Sequence, residues 1–82
     1  MSKFNIKKGT RVEISSKTDG KMVYKHRKIE ADLVFSPEDV VISPEDAYEK
    51  HGITHCDYYT FKYKYCGQLF WITVKQALLT PS

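Results

Sequence analysis

Eighty-two residues allow a single domain, 1–82, and a content of 41% hydrophobic and 13% aromatic residues is that of a folded chain, not a disordered one. The longest nearly apolar run, Leu69 to Val74, is far short of the ~18–20 residues of a membrane helix, and the N-terminus lacks the apolar stretch of a secretory signal. A cytoplasmic protein with no membrane partner is therefore expected. The net charge of +3 conceals a segregation: residues 1–28 carry nine Lys/Arg against two acids, residues 29–57 eight acids against Lys50, and residues 58–82 three lysines. Such asymmetry points to a basic face for an acidic partner, unless the two blocks lie together and neutralise one another.

A chain this small buries only roughly 60–65% of its unfolded surface and has little interior to spare, so no cofactor is expected. The first strand signal is Thr10 to Ser16, with Val12 and Ile14 alternating onto one face. Thr18-Asp19-Gly20 suits a three-residue hairpin loop with Gly20 in the left-handed region. That loop would set Ile14 opposite Tyr24, Val12 opposite His26 and Ser16 opposite Met22, with His26 a half-buried structural residue. A two-residue loop would instead set Ile14 against Lys25 and Val12 against Arg27, and the first register is preferred. From Met22 to Phe35 the apolar parity changes from even to odd, which calls for a bulge or corner near Arg27-Lys28.

Ser36-Pro37-Glu38-Asp39 and Ser43-Pro44-Glu45-Asp46 repeat one tetrapeptide. Each has Ser as N-cap, Pro in the first turn and acids at the positive end of the helix dipole. The second predicts a two-turn helix over 44–51, stopped by Gly52. The first precedes the strand formers Val40-Val41-Ile42 and predicts a single turn. Ser-Pro is also a phosphorylation pattern, but capping accounts for both copies.

The strongest element is the hairpin from Tyr58 to Tyr65 and from Gln68 to Val74, turning at Cys66-Gly67. Tyr63 faces Phe70, Phe61 faces Ile72 and Tyr59 faces Val74, an aromatic and aliphatic core face. Residues 75–79 predict a short turn over one end of the core, ended by Pro81. The order β-β-β-α-β-β describes a β-rich α+β domain: a small five-stranded, barrel-like domain of OB type with one short helix, an SH3-like barrel being the alternative.

Trp71 stands out among candidate binding residues. It lies across from Lys62 and beside Lys64 and Thr60, away from the core, and Tyr58 shares that face. An aromatic platform among lysines meets what base stacking with phosphate neutralisation requires. Arg11, Lys25 and Arg27 of the first hairpin would extend the basic face. The competing readings are a Trp71 buried under a terminal segment and a Trp71 that anchors a protein interface.

His51, His55, Cys56 and Cys66 do not have zinc spacing, and His55 and Cys56, consecutive in an extended segment, would point oppositely. Two cysteines are too few for a disulfide scaffold. No nucleophile turn and no Gly-rich phosphate loop appears, so no enzyme is expected.

In size and composition the chain resembles the small accessory proteins that phages and mobile elements make against host machinery. The resemblance implies a host protein as partner. Two functions follow: binding of single-stranded or structured nucleic acid through Trp71, Tyr58, Lys62, Lys64, Arg11, Lys25 and Arg27, or inhibition or modulation of a host enzyme or complex through the same face or a strand edge. Open strand edges would also let two chains pair as a homodimer.

Overall fold

The computed structural model describes residues 3–81. In chain order they form β1 (Phe4–Ile6), β2 (Arg11–Thr18), β3 (Lys21–Lys28), β4 (Leu33–Phe35), β5 (Val40–Ile42), α1 (Pro44–His51), β6 (Tyr58–Tyr65), β7 (Gln68–Lys75) and the two-residue β8 (Thr80–Pro81). Single 3₁₀ turns occupy Pro37–Asp39 and Gln76–Leu78. All pairings are antiparallel and make two sheets, five strands in the order β3-β2-β7-β6-β5 and three in the order β4-β1-β8. The domain is thus mostly sheet with one short helix, as expected, but β1, β5 and β8 add to the five strands read from the sequence, because each is short and forms only by pairing with a distant strand. No helix among the described residues is long and apolar enough to cross a membrane.

The core lies between the sheets. Val12, Tyr59, Phe61, Ile72 and Val74 on one face of the larger sheet meet Ile6 and Phe35 of the smaller, with Ile29 filling in from the connection. Phe61 is completely buried. Its ring stacks on Phe35 with centroids 4.7 Å apart and packs against Phe4 at 5.4 Å. Each such aromatic pair adds about 0.5–1.5 kcal/mol to what area burial contributes. Hydrophobic alternation in β6 and β7 made this half legible: the expected pairs Tyr63↔Phe70, Phe61↔Ile72 and Tyr59↔Val74 are the pairs observed.

Both Ser-Pro segments also behave as expected. Ser43 Oγ accepts the Asp46 amide at 3.2 Å, and Gly52, at φ 69°, ends α1 in the left-handed region. The first copy makes the single turn at Pro37–Asp39, where the Asp39 carboxylate accepts the Ser36 amide at 3.0 Å, and β5 follows directly.

The first hairpin corrects the expected register. Its loop has two residues, Asp19 and Gly20, at φ 51° and 77°, and it pairs Ile14 with Lys25, Val12 with Arg27 and Ser16 with Val23. Asp-Gly is a strong type I′ signal, and positive φ at both central residues matches the twist of the flanking strands. Turn geometry therefore set the register, and the hydrophobic pattern of β3 followed it. Met22, Tyr24 and His26 face away from the core, and His26 is exposed, not half-buried. Charge opposite Val12 and Ile14 is tolerated because β3 is an edge strand with every residue exposed.

No change of face is needed within β3. The chain leaves the ladder at Lys28 and turns a corner at Ile29, whose amide donates to Thr10 O and whose carbonyl accepts from Gly9 N. The three short strands β1, β4 and β8 exist through their mutual pairing, Phe4 to Phe35 and Asn5 to Thr80 among them.

Candidate nucleic-acid interface

Opposite residues of an antiparallel ladder share a face, so the five-stranded sheet carries rows of side chains running across its strands. The central row of the face turned from the core reads Tyr24, Ser15, Trp71, Lys62 across β3, β2, β7 and β6. Tyr24 and Trp71 are two strands apart, roughly 9–10 Å. Ser15 between them is 5% exposed, whereas Tyr24 is 59% exposed. Trp71 is half-buried. It is held in the sheet and partly exposed.

The next row is His26, Glu13, Thr73, Thr60. The two threonine hydroxyls hydrogen-bond at 3.0 Å, and His26 Nε2 lies 3.7 Å from Glu13 Oε2. Beyond it come Lys28 and Arg11 on one pair of strands, and Lys75 and Tyr58 on the other. Here the face opens into a cleft of about 590 Å³ between Arg11, Tyr58, Lys75 and Leu78, with the His26–Glu13 pair in its wall. On the far side of the central row, Leu69 pairs with Lys64. The face therefore presents Trp71, Tyr24 and Tyr58 among Arg11, Lys28, Lys62, Lys64 and Lys75. Glu13 is the one carboxylate on β2, β3, β6 and β7 of that face.

Trp71, Tyr58, Lys62, Lys64 and Arg11 are thus brought onto one face. Lys25 and Arg27 are not: the two-residue turn places both on the opposite face of β3, with Ile14 and Val12 as their partners. Tyr24, Lys28 and Lys75 take their place. The signal for Tyr24 and Lys28 was Asp19-Gly20 taken as a two-residue turn, which reverses the faces of every residue in β3.

The acidic block does not neutralise this surface by direct pairing. His26–Glu13 is the one contact of salt-bridge length between side chains among the described residues. Asp32 instead accepts the Lys8 backbone amide at 2.6 Å, and the exposed Glu45 acts on Tyr59. Burial, reinforced by the Glu45 carboxylate, raises the Tyr59 hydroxyl above its ordinary value.

Cys56 and Cys66 lie beyond opposite ends of β6, which itself spans roughly 25 Å, and both are free thiols. Among the described residues no three His, Cys, Asp or Glu side chains converge as a metal site requires. No family model matches the chain, and neither the curated proteins nor the solved structures provide a match.

Proposed function

We propose that the protein is a non-catalytic binding module on a barrel-like scaffold, OB-type or SH3-like, that engages single-stranded or structured nucleic acid through the outer face of its larger sheet. The barrel reading draws support from the short β4-β1-β8 sheet, which folds over the core face and leaves the other face open. The observation that carries the function is the row Tyr24, Ser15, Trp71, Lys62, with lysines and Arg11 on either side. Aromatic rings in a sheet face stack bases without sequence preference, and the surrounding cations neutralise phosphate. Glu13, the acid on this face, has His26 Nε2 3.7 Å away.

The test is retention of a mixed pool of labelled single-stranded RNA and DNA at about 50 and about 200 mM salt, where counterion release makes phosphate-driven binding fall steeply. Trp71→Ala costs about 1–3 kcal/mol of binding, the value of one stacked base. Lys62→Ala/Lys64→Ala lowers the slope of log affinity against log salt by about 1.4, or ~0.7 per lost phosphate contact. Lys25→Ala/Arg27→Ala, on the opposite face, leaves Trp71-dependent stacking intact. Absence of binding at the lower salt overturns the reading.

A further inference from the structure

The eight residues of β3 are all exposed, and β2 is the strand's one neighbour. A two-residue turn makes Thr18 and Lys21 a hydrogen-bonded pair, and the antiparallel alternation then aims the backbone N–H and C=O groups of Met22, Tyr24, His26 and Lys28 outward. An edge of this length is a template for another strand. What distinguishes it is charge. Lys21, Lys25, His26, Arg27 and Lys28 occupy five of its eight positions, with no acid on the strand. Only His26 among them finds a carboxylate within salt-bridge reach in the described residues. A second copy of this chain, paired edge to edge, would bring those five side chains against themselves.

The two faces of β3 differ in what they ask of an added strand. On the core side Lys21, Val23, Lys25 and Arg27 alternate, and the last three border a cleft of about 270 Å³ with Ile14, Ser16 and Phe70. On the outer side stand Met22 and Tyr24, both exposed. We propose that the β3 edge accepts an extended acidic segment of another protein as a sixth strand. Its Asp or Glu residues, at alternate positions, lie against Lys25 and Arg27, and apolar or aromatic residues between them lie against Met22 and Tyr24. Main-chain hydrogen bonds supply the common part of the affinity and the alternating side chains the selectivity. The edge shares Tyr24 with the Trp71 face, but Lys25 and Arg27 lie on the opposite face of β3, so Lys25→Glu/Arg27→Glu probes the edge and Trp71→Ala the face.

The experiment uses the full chain and three short blocked peptides: glutamate alternating with valine and tyrosine, the same peptide with lysine for glutamate, and a rearrangement with all glutamates in one block. Binding is followed by fluorescence polarisation and by amide hydrogen exchange. The alternating glutamate peptide binds about tenfold or more tightly than either control, because opposite charges meet in one register only. It also slows exchange at Met22, Tyr24, His26 and Lys28. Lys25→Glu/Arg27→Glu reverses the preference toward the lysine peptide, and unchanged circular dichroism shows that this exposed edge still folds. Equal binding of the alternating and blocked peptides, or no new protection at those four amides, overturns the proposal. So does protection of the same amides by oligothymidylate but not by peptide, which assigns the edge to nucleic acid. Protection already present in a dimeric free protein assigns it to self-association and overturns it equally.

Discussion

The two long hairpins are close to the same object locally, yet they end in different environments. Each pairs two eight-residue strands, and each turns on two residues with positive φ, Asp19-Gly20 in one and Cys66-Gly67 in the other. In β6–β7 one face is closed by the smaller sheet, and Tyr59, Phe61, Ile72 and Val74 are buried there. In β2–β3 the inner strand buries Val12 while the outer strand buries nothing. Type I′ geometry fixes register in both, but it does not decide which residues leave water. That depends on whether another layer lies over the strand. The hairpin with the apolar pattern became the centre of the sheet, and the one with the basic pattern put β3 at its exposed edge.

The largest expected effect breaks the comparison at its buried end. Phe61→Ala removes a completely buried ring and destabilises the domain by about 3–5 kcal/mol, whereas Val23→Ala on the exposed edge stays within about 0.5 kcal/mol. Urea unfolding of the two variants measures the difference, and comparable losses would mean that β3 is covered in solution.

The turns should respond alike where the strands do not. Gly20→Ala and Gly67→Ala each force a Cβ into φ near 77°, with nothing within 4 Å of the new atom at either site. Each then loses about 1–2 kcal/mol from backbone strain alone, read as a shift in the urea midpoint. A more sensitive difference lies one residue earlier. Asp19 belongs to a residue type that tolerates the left-handed region, whereas Cys66, at φ 51°, does not. Cys66→Asn is therefore expected to stabilise the domain by roughly 0.5–1 kcal/mol, most of what separates the two turns.

The smallest effect concerns Tyr59 at the start of the buried hairpin. Glu45→Gln removes the secondary cause of its raised pKa and leaves burial, so tyrosinate absorbance should appear at lower pH than in the parent but still above the ordinary value of about 10. The sign for stability follows from the raised value. The contribution of neutral Tyr59 is complete below the unfolded pKa and is lost as pH rises through the folded one, so the variant loses less of its stability on the alkaline side. An unchanged Tyr59 titration would show that Glu45 is screened from it.

Local chemistry written in the sequence determined a good part of this molecule. The Ser36 and Ser43 segments set a turn and a helix because caps, prolines and first-turn acids act within four residues. Alternation from Tyr59 to Val74 set the register of β6 and β7 and put Trp71 across from Lys62. The register of β2 and β3 was equally local, since Asp19-Gly20 specifies a two-residue turn; apolar parity at Met22 and Tyr24 pointed the other way, and turn geometry prevailed. Tertiary structure alone decided the rest. Leu33–Phe35 was legible as the end of an odd-parity run, but Phe4–Ile6 and Thr80–Pro81 are too short to show a period and became strands only by pairing across the chain. Which face of the larger sheet stayed open, and that β3 would be its edge, depended on where that second sheet settled. Burial belongs to the assembled layers, because a strand leaves water only when another element lies over it.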